Sequence, residues 1–193
     1  MRPLSKHIPN AITGLRIALT PLFLYFISQS GFRAAFAVFL VLCLTDISDG
    51  AAARTFGASS LFGAYLDVFA DLLYVLSALA VLNLKGLAPL WFTVLTGVKF
   101  TEFAVTSHIL KGVGNKGFWV FDGFGRGYGA LAFLSPGVFC FAQFAPHFSD
   151  FVIHALLTAV GFCALISSAF RNAQCVRQVK RGEKRAAYPK KPA

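Results

Sequence analysis

Four aspartates and one arginine lie close together in a stretch of the chain that is otherwise apolar. They belong to DISDGAAARTFGASSLFGAYLDVFAD, residues 46–71, where one arginine and four aspartates sum to −3 in a chain of net charge +10. An aspartate at the centre of a membrane helix costs roughly 2.5–3.5 kcal/mol, so four cost on the order of 10 kcal/mol unless something binds or neutralises them. The pattern therefore predicts a site for cations.

The spacing of these acids places each pair on one face of a helix. Asp46 and Asp49 lie about 60° apart around a helix, and Asp67 and Asp71 lie about 40° apart. A short connection between two such helices makes them antiparallel neighbours, so we expect all four carboxylates to converge. Hard oxygen ligands suit Mg²⁺ or Mn²⁺, and two such ions can stabilise both the attacking and the leaving oxygen of a phosphoryl-type displacement.

Small residues accompany the acids and add a second clue. Gly50, Ala53 and Gly63 remove side-chain bulk from the region that concentrates the carboxylates. A pyrophosphate with its attached nucleoside would use both the charge and the space. Two alternatives remain open at this point: the small residues only tighten helix packing, and the carboxylates form the binding site of a small cation or proton transporter.

The elements that must position these residues are predicted to be membrane helices. The chain is 56% hydrophobic and only 13% charged, with a mean hydropathy of +0.66, which is far from a soluble domain. Each of six apolar segments is near the roughly 20 residues that span a bilayer. We expect an all-α integral membrane protein with six transmembrane helices, a short interfacial N-terminal segment and one domain over residues 1–193. The segments run from about Ile8 to Gln29, Ala34 to Ala53, Ser60 to Leu82, Ala88 to Leu110, Gly123 to Ala145 and Asp150 to Phe170.

The distribution of lysine and arginine predicts the orientation of the chain. One face would carry Arg2, Lys6, Arg54, Lys111, Lys116, Arg126 and a basic tail, while the other loops hold little beyond Arg33 and Lys85. The positive-inside rule then places both termini in the cytoplasm, in a multi-pass protein of the inner membrane. The tail, from about residue 172, is expected to meet anionic lipids rather than nucleic acid, or else only to set topology.

The motif that holds the acids resembles a known signature. Asp46, Asp49-Gly50, Ala53-Arg54, Gly63, Asp67 and Asp71 match every fixed position of DxxDGxxARx(7-9)GxxxDxxxD, the signature of the CDP-alcohol phosphotransferase family. The resemblance extends to the length of the chain and the number of apolar segments. It implies transfer of a phosphatidyl group from CDP-diacylglycerol to a small alcohol, with release of CMP, by a membrane-embedded homodimer. That reading weighs against transport, although an inactive relative that keeps the motif for folding stays open.

The resemblance also implies roles for individual residues. Asp46, Asp49, Asp67 and Asp71 would coordinate two divalent ions, Mg²⁺ or Mn²⁺, and Asp71 would also act as the general base. The CDP moiety would lie against Asp49, Gly50, Ala53 and Gly63. The opening IPNAITGLR resembles that of bacterial phosphatidylglycerophosphate synthases, which makes Asn10, Thr13 and Arg16 weaker candidates beside the nucleotide. Arg54 could contact phosphate, pair with an aspartate or extend to the interface.

The acceptor alcohol is less well defined by the sequence. FGAYLD and EFAVTSHIL resemble stretches of phosphatidylglycerophosphate synthases, which favours glycerol 3-phosphate. However, Leu72 and Thr101 stand where those enzymes have lysine and arginine. A phosphate-bearing acceptor needs a basic pocket. The cations that could supply it are Arg126, Lys116, Lys111 and Lys99, and inositol phosphate or an uncharged alcohol remains an alternative acceptor.

Overall fold

The described part of the chain consists of six α-helices. A computed structural model describes the backbone of residues 8–56, 61–112 and 123–187, and the side chains of residues 13–47, 66–107, 123–145, 147 and 151–177. The opening IPNAITGLR, residues 8–16, is helical, whereas residues 1–7 and the last residues of the tail lie outside these ranges. The helices are α1 (Ile8–Ser28), α2 (Phe32–Phe56), α3 (Leu61–Leu84), α4 (Leu90–Gly112), α5 (Gly123–Ala142) and α6 (Pro146–Ala187).

Helix α1 holds the first half of the bundle together. Among the described residues it packs against both α2 and α3, whereas direct packing between α2 and α3 is minor. The small residues of the signature, which would let α2 and α3 approach closely, have side chains outside the described part, so that approach stays a prediction. Helix α5 packs on α2, α3 and α6, and α4 packs on α3 and α6.

The centre of the bundle is aromatic. The ring of Tyr74 lies between Phe23 and Phe133, at centroid distances of 5.2 and 5.1 Å, so α1, α3 and α5 meet at this point. Phe39 of α2 packs directly on the backbone of Gly137 in α5. Because Gly137 has no side chain, the ring can approach the helix closely, as small residues allow in membrane bundles.

Two tight turns lie at one end of the bundle. Ser30 and Gly86 adopt positive φ angles of 59° and 71° where α1 passes into α2 and α3 into α4. The turns touch each other, since Lys85 Nζ donates a hydrogen bond to Ser30 Oγ at 3.0 Å. The acids of the signature therefore lie at the opposite end, where α2 ends and α3 begins.

The surface of the bundle is compatible with lipid. Exposed large apolar side chains occur on α1 through α6, among them Leu22, Leu44, Phe69, Trp91, Leu134 and Phe162. A soluble monomer rarely exposes so many. By length and hydropathy, however, only Leu66–Leu84 and Phe151–Arg177 qualify as membrane spans among the described residues, with Thr13–Ser28 as a shorter apolar helix. The six predicted helices are thus confirmed within the described residues, and six membrane spans remain a prediction.

Helix α6 is longer than its predicted apolar segment. Its 42 residues correspond to roughly 63 Å at 1.5 Å per residue, about twice the thickness of a hydrocarbon core. Most of the predicted basic tail is thus a continuation of the last helix as far as Ala187.

Candidate active site

Three of the four signature aspartates converge at one end of the bundle. Asp46 comes from α2, and Asp67 and Asp71 come from α3, one helical turn apart. Each offers a carboxylate oxygen, and the three oxygens lie within 4.8 Å of one another. Asp49 also lies on α2, but its side chain is outside the described part. The predicted convergence is therefore observed for Asp46, Asp67 and Asp71.

Arg16 of α1 reaches into the middle of these carboxylates. Its Nη1 atom lies 2.7 Å from Asp67 Oδ1 and 2.6 Å from Asp71 Oδ1, and its Nη2 atom lies 3.0 Å from Asp46 Oδ1. Arg16 is fully buried, while the three carboxylates remain 37–46% exposed. One guanidinium of α1 thus contacts carboxylates of both α2 and α3.

The acid cluster has the composition that a hard divalent cation prefers. Mg²⁺ binds oxygen ligands at about 2.1 Å, so two ligands of one ion lie up to about 4.2 Å apart. Three carboxylate oxygens within 4.8 Å of one another approach that spacing, and Arg16 contacts the same three carboxylates. Their exposed fraction leaves room for water and substrate. The described residues fit one ion, and a second ion would also need the Asp49 carboxylate.

A cavity opens beside the acid cluster, and Asp71 belongs to both. The cavity has a volume of about 190 Å³, which is small compared with the roughly 300–1,000 Å³ of sites for drug-sized ligands. It therefore suits a small alcohol or a headgroup better than a nucleoside. Its walls come from α3 to α6 and are mainly apolar, with polar positions at Thr96, Lys99, Tyr128, Ser167 and Arg171.

Of the two predicted acceptor cations whose side chains are described, Lys99 and Arg126, only Lys99 lies in the cavity wall. Lys99 is 6% exposed, and its Nζ atom lies 2.8 Å from Glu102 Oε2 and 2.9 Å from Ser168 Oγ. Ser168 Oγ also donates to Glu102 Oε2 at 2.8 Å. The lysine charge is therefore compensated within the protein, and a phosphate would have to share it with Glu102.

Arg171 is a second cation of the cavity, and the sequence pattern did not predict it. It directly precedes the basic tail predicted from about residue 172, but it is only 2% exposed. Its guanidinium donates to Thr106 Oγ1, Ser107 Oγ and the Phe103 carbonyl, and it stacks over the Phe103 ring at 4.8 Å. These bonds tie α6 to α4 and hold the guanidinium at the cavity wall. The sequence feature that could have indicated this position is the spacing of Arg171, one helical turn after Ser167 and Ser168.

Hydroxyl groups complete the polar part of the cavity. Tyr128 Oη donates to Thr96 Oγ1 at 3.2 Å. Ser167 Oγ is buried, and it has no hydrogen-bond partner among the described residues. A buried hydroxyl without a partner is costly, and in a cavity wall it is available to a ligand. None of these hydroxyls was predicted, because serine, threonine and tyrosine are common in apolar helices.

The remaining predicted residues divide into three groups. Thr13 is 3% exposed and lies one turn before Arg16 on α1, so it is near the acid cluster. Arg126 is exposed at the start of α5 and does not line the cavity. The backbone of Lys116 lies outside the described part of the chain. The side chains of all the other candidates, and of Lys116, lie outside it as well: Asn10, Asp49, Gly50, Ala53, Arg54, Gly63, Lys111 and Lys116.

The two departures from the resembled synthases differ in position. Leu72 lines the cavity next to Asp71, so the lysine expected there would have been a cavity cation. Thr101 is exposed on α4, and its Oγ1 donates to the Gly97 carbonyl of its own helix at 2.9 Å. Only the leucine therefore changes the charge of the cavity wall.

Comparisons with known proteins agree with the geometry. Residues 6–167 match the family model of CDP-alcohol phosphatidyltransferases. The chain is 37% identical over 95 residues to a probable phosphatidylglycerophosphate synthase of Mycobacterium tuberculosis, a match that covers 46% of each chain. It is 36% identical over 110 residues to a CMP-forming cardiolipin synthase of Streptomyces coelicolor, which covers 54% of this chain and 51% of that protein.

A third relative gives a longer match. A CDP-diacylglycerol–glycerol-3-phosphate 3-phosphatidyltransferase of Bacillus subtilis is 33% identical over 125 residues, covering 56% of this chain and 64% of that protein. The chain spans about half the length of the first curated relatives it matches. No solved structure matches it. The family model covers most of the chain, including all the signature aspartates, and the chain belongs to the membrane-bound CDP-alcohol phosphatidyltransferase family.

Proposed function

We propose that the protein transfers a phosphatidyl group from CDP-diacylglycerol to the hydroxyl of glycerol 3-phosphate and releases CMP. The observation that carries this proposal is the convergence of Asp46, Asp67 and Asp71 beside a small cavity that Asp71 also lines. Names of relatives support the same donor and acceptor, since one is a CDP-diacylglycerol–glycerol-3-phosphate 3-phosphatidyltransferase. Membership of this family also weighs against the transporter hypothesis.

The residues divide the reaction between two neighbouring sites. Asp46, Asp49, Asp67 and Asp71 would hold two divalent ions, Mg²⁺ or Mn²⁺, whose charge would offset that of the donor pyrophosphate. The nucleotide lies against Asp49, Gly50, Ala53 and Gly63, with Asn10 and Thr13 nearby. The acceptor enters the cavity, and its hydroxyl attacks the phosphorus nearer the lipid. Asp71 takes the hydroxyl proton, because among the described acids it is the one that belongs to both the cluster and the cavity wall.

Lys99 and Arg171 are the cations that would contact the acceptor phosphate. Both are buried in the cavity wall, and the protein already fixes their positions through hydrogen bonds. A fixed guanidinium binds phosphate with little further loss of side-chain entropy. Arg126, Lys111 and Lys116 are secondary candidates that could guide an anionic acceptor towards the mouth of the cavity.

An uncharged alcohol is the second candidate acceptor. Leu72 removes one expected cation from the cavity, and Glu102 compensates Lys99. Those features suit the hydroxyls of an uncharged acceptor such as a lipid headgroup. One relative is named as a cardiolipin synthase, which shows that matched proteins do not all carry the same name.

The architecture proposed for this activity is one membrane domain over residues 1–193 with six spans. Both termini and the active site face the cytoplasm at the inner membrane, and two copies form a homodimer. The exposed apolar side chains on all six helices support immersion in lipid. The basic extension of α6 lies against anionic headgroups, which attract juxtamembrane lysine and arginine.

The decisive experiment follows CMP release from CDP-diacylglycerol by the purified full-length chain in detergent micelles. Release is expected only when both an acceptor and Mg²⁺ or Mn²⁺ are present. A panel with glycerol 3-phosphate, inositol phosphate, glycerol and phosphatidylglycerol identifies the acceptor. Equal CMP release in the presence of a chelator would refute the metal-dependent mechanism. Mg²⁺ or proton flux in sealed liposomes without nucleotide would support the transporter instead.

A further inference from the structure

Arg16 occupies an unusual position for a membrane helix. It is one of the largest fully buried side chains in the described residues, and it lies on α1, outside the signature that supplies the acids. Its two terminal nitrogens contact carboxylates from two other helices, Asp46 on one side and Asp67 and Asp71 on the other. The arginine is therefore the side chain through which α1 connects to the acid cluster.

The contacts of Arg16 involve atoms that a cation would also need. Nη1 lies within 2.7 Å of an oxygen of Asp67 and of Asp71. Three carboxylates this close together repel one another, and a positive charge among them offsets part of that repulsion. A divalent ion and a guanidinium that seek the same oxygens reduce each other's affinity, by the reciprocity of coupled binding.

We propose that Arg16 is a displaceable counter-cation, a positioning residue that keeps the three carboxylates together before a divalent ion binds and gives up its contacts when the ion arrives. The inference rests on the proposed function for its metal but assigns Arg16 a role that the signature does not contain. It predicts that the protein tolerates the empty acid cluster because of Arg16, and that Arg16 weakens the affinity for the ion.

The alternative is an arginine that only braces the helices. Such a residue would keep its contacts when the ion binds, and it would improve the affinity by holding the ligands in place. The two roles therefore predict opposite changes when Arg16 is removed. Removal of a displaceable cation strengthens metal binding, and removal of a brace weakens it.

The test compares Arg16→Gln and Arg16→Lys with the unsubstituted full-length chain in detergent. Mn²⁺ binding is measured by electron paramagnetic resonance, and Mg²⁺ binding by the rise in the thermal unfolding midpoint with ion concentration. Arg16→Gln is expected to lower the midpoint in chelator and to tighten ion binding by about tenfold, within the range of typical coupling energies. Arg16→Lys should tighten it less, because lysine keeps the charge.

Arg171→Gln is the matched control, because Arg171 is equally buried but contacts hydroxyls and a carbonyl on α4. It should lower the midpoint without tightening ion binding.

Unchanged or weaker ion binding in Arg16→Gln would overturn the inference. If that variant does not fold, unchanged or weaker ion binding in Arg16→Lys would overturn it. Absence of ion binding in the unsubstituted chain would overturn the proposed metal mechanism and the inference together. Ion binding that responds to Arg16 without any CMP release would overturn the proposed function alone.

Discussion

Lys99 Nζ lies 2.8 Å from Glu102 Oε2, and Ser168 Oγ contacts both groups. The wall of the cavity beside the acid cluster therefore contains a lysine whose charge is already compensated by Glu102 of the same helix, α4. This pairing links the charge of the cavity wall to the choice of acceptor, because a phosphate must compete with Glu102 for the ammonium group. The acceptor can thus be examined through the residues of this wall.

Replacement of the pair by neutral groups tests whether Lys99 contacts phosphate. In Lys99→Met with Glu102→Gln, no unpaired charge is left buried. If glycerol 3-phosphate is the acceptor, its KM should rise about 10- to 100-fold, since a hydrogen bond to a charged group contributes about 1.5–3 kcal/mol. The KM for CDP-diacylglycerol should stay within about twofold of the original. Lys85→Met, at the far end of the bundle, is the control and should change neither constant; an unchanged acceptor KM in the double variant would exclude the lysine contact.

Introduction of a cation at residue 72 tests whether Leu72 determines which acceptor the cavity binds. Leu72→Lys places an ammonium group in the cavity wall beside Asp71. We expect the KM for glycerol 3-phosphate to fall by about tenfold, because a charge-assisted bond to phosphate becomes available. Thr101→Arg is the matched comparison, as Thr101 is exposed away from the cavity and its substitution should have little effect. Equal changes in both variants would indicate that Leu72 does not determine the acceptor.

Removal of the Asp71 charge tests its role as the base. Asp71→Asn should reduce CMP release by roughly 10²–10⁴-fold, the contribution typical of general acid–base catalysis, or more if ion binding is also lost. Radiolabelled CMP formation measures the rate, and gel filtration in detergent checks that the variant is folded. Ser77→Ala on the same helix serves as the control and should keep its activity. Activity of Asp71→Asn near that of the control would rule out Asp71 as the base.

The contact between Phe39 and Gly137 gives a prediction about stability. A Cβ atom at residue 137 would overlap the Phe39 ring, which is itself buried. Gly137→Ala should therefore destabilise the fold by about 1–3 kcal/mol, the usual cost of overpacking. Gly161→Ala on α6 meets no atom within 4 Å and should stabilise its helix by about 0.5–1 kcal/mol. Thermal unfolding in detergent measures both, and equal midpoints would contradict the packing seen here.

Much of the acid cluster could be predicted from the sequence because its information is local. Asp67 and Asp71 share a face of α3 since residues four apart lie one turn apart in any helix. Apolar segments of about 20 residues likewise predicted the six helices. The end of α6 was not predicted, because the apolar pattern stops near Phe170 while the charged residues that follow also favour a helix.

Only the tertiary structure determined which distant residues meet. Arg16 reaches Asp71 across 55 positions, and Arg171 reaches Thr106 across 65. No periodicity within one helix encodes such contacts, because they depend on which faces of α1, α3, α4 and α6 pack together. The sequence by itself thus determined the kinds of ligand and their local spacing. Packing of the helices decided which cation lies among the carboxylates and which buried polar groups face the cavity.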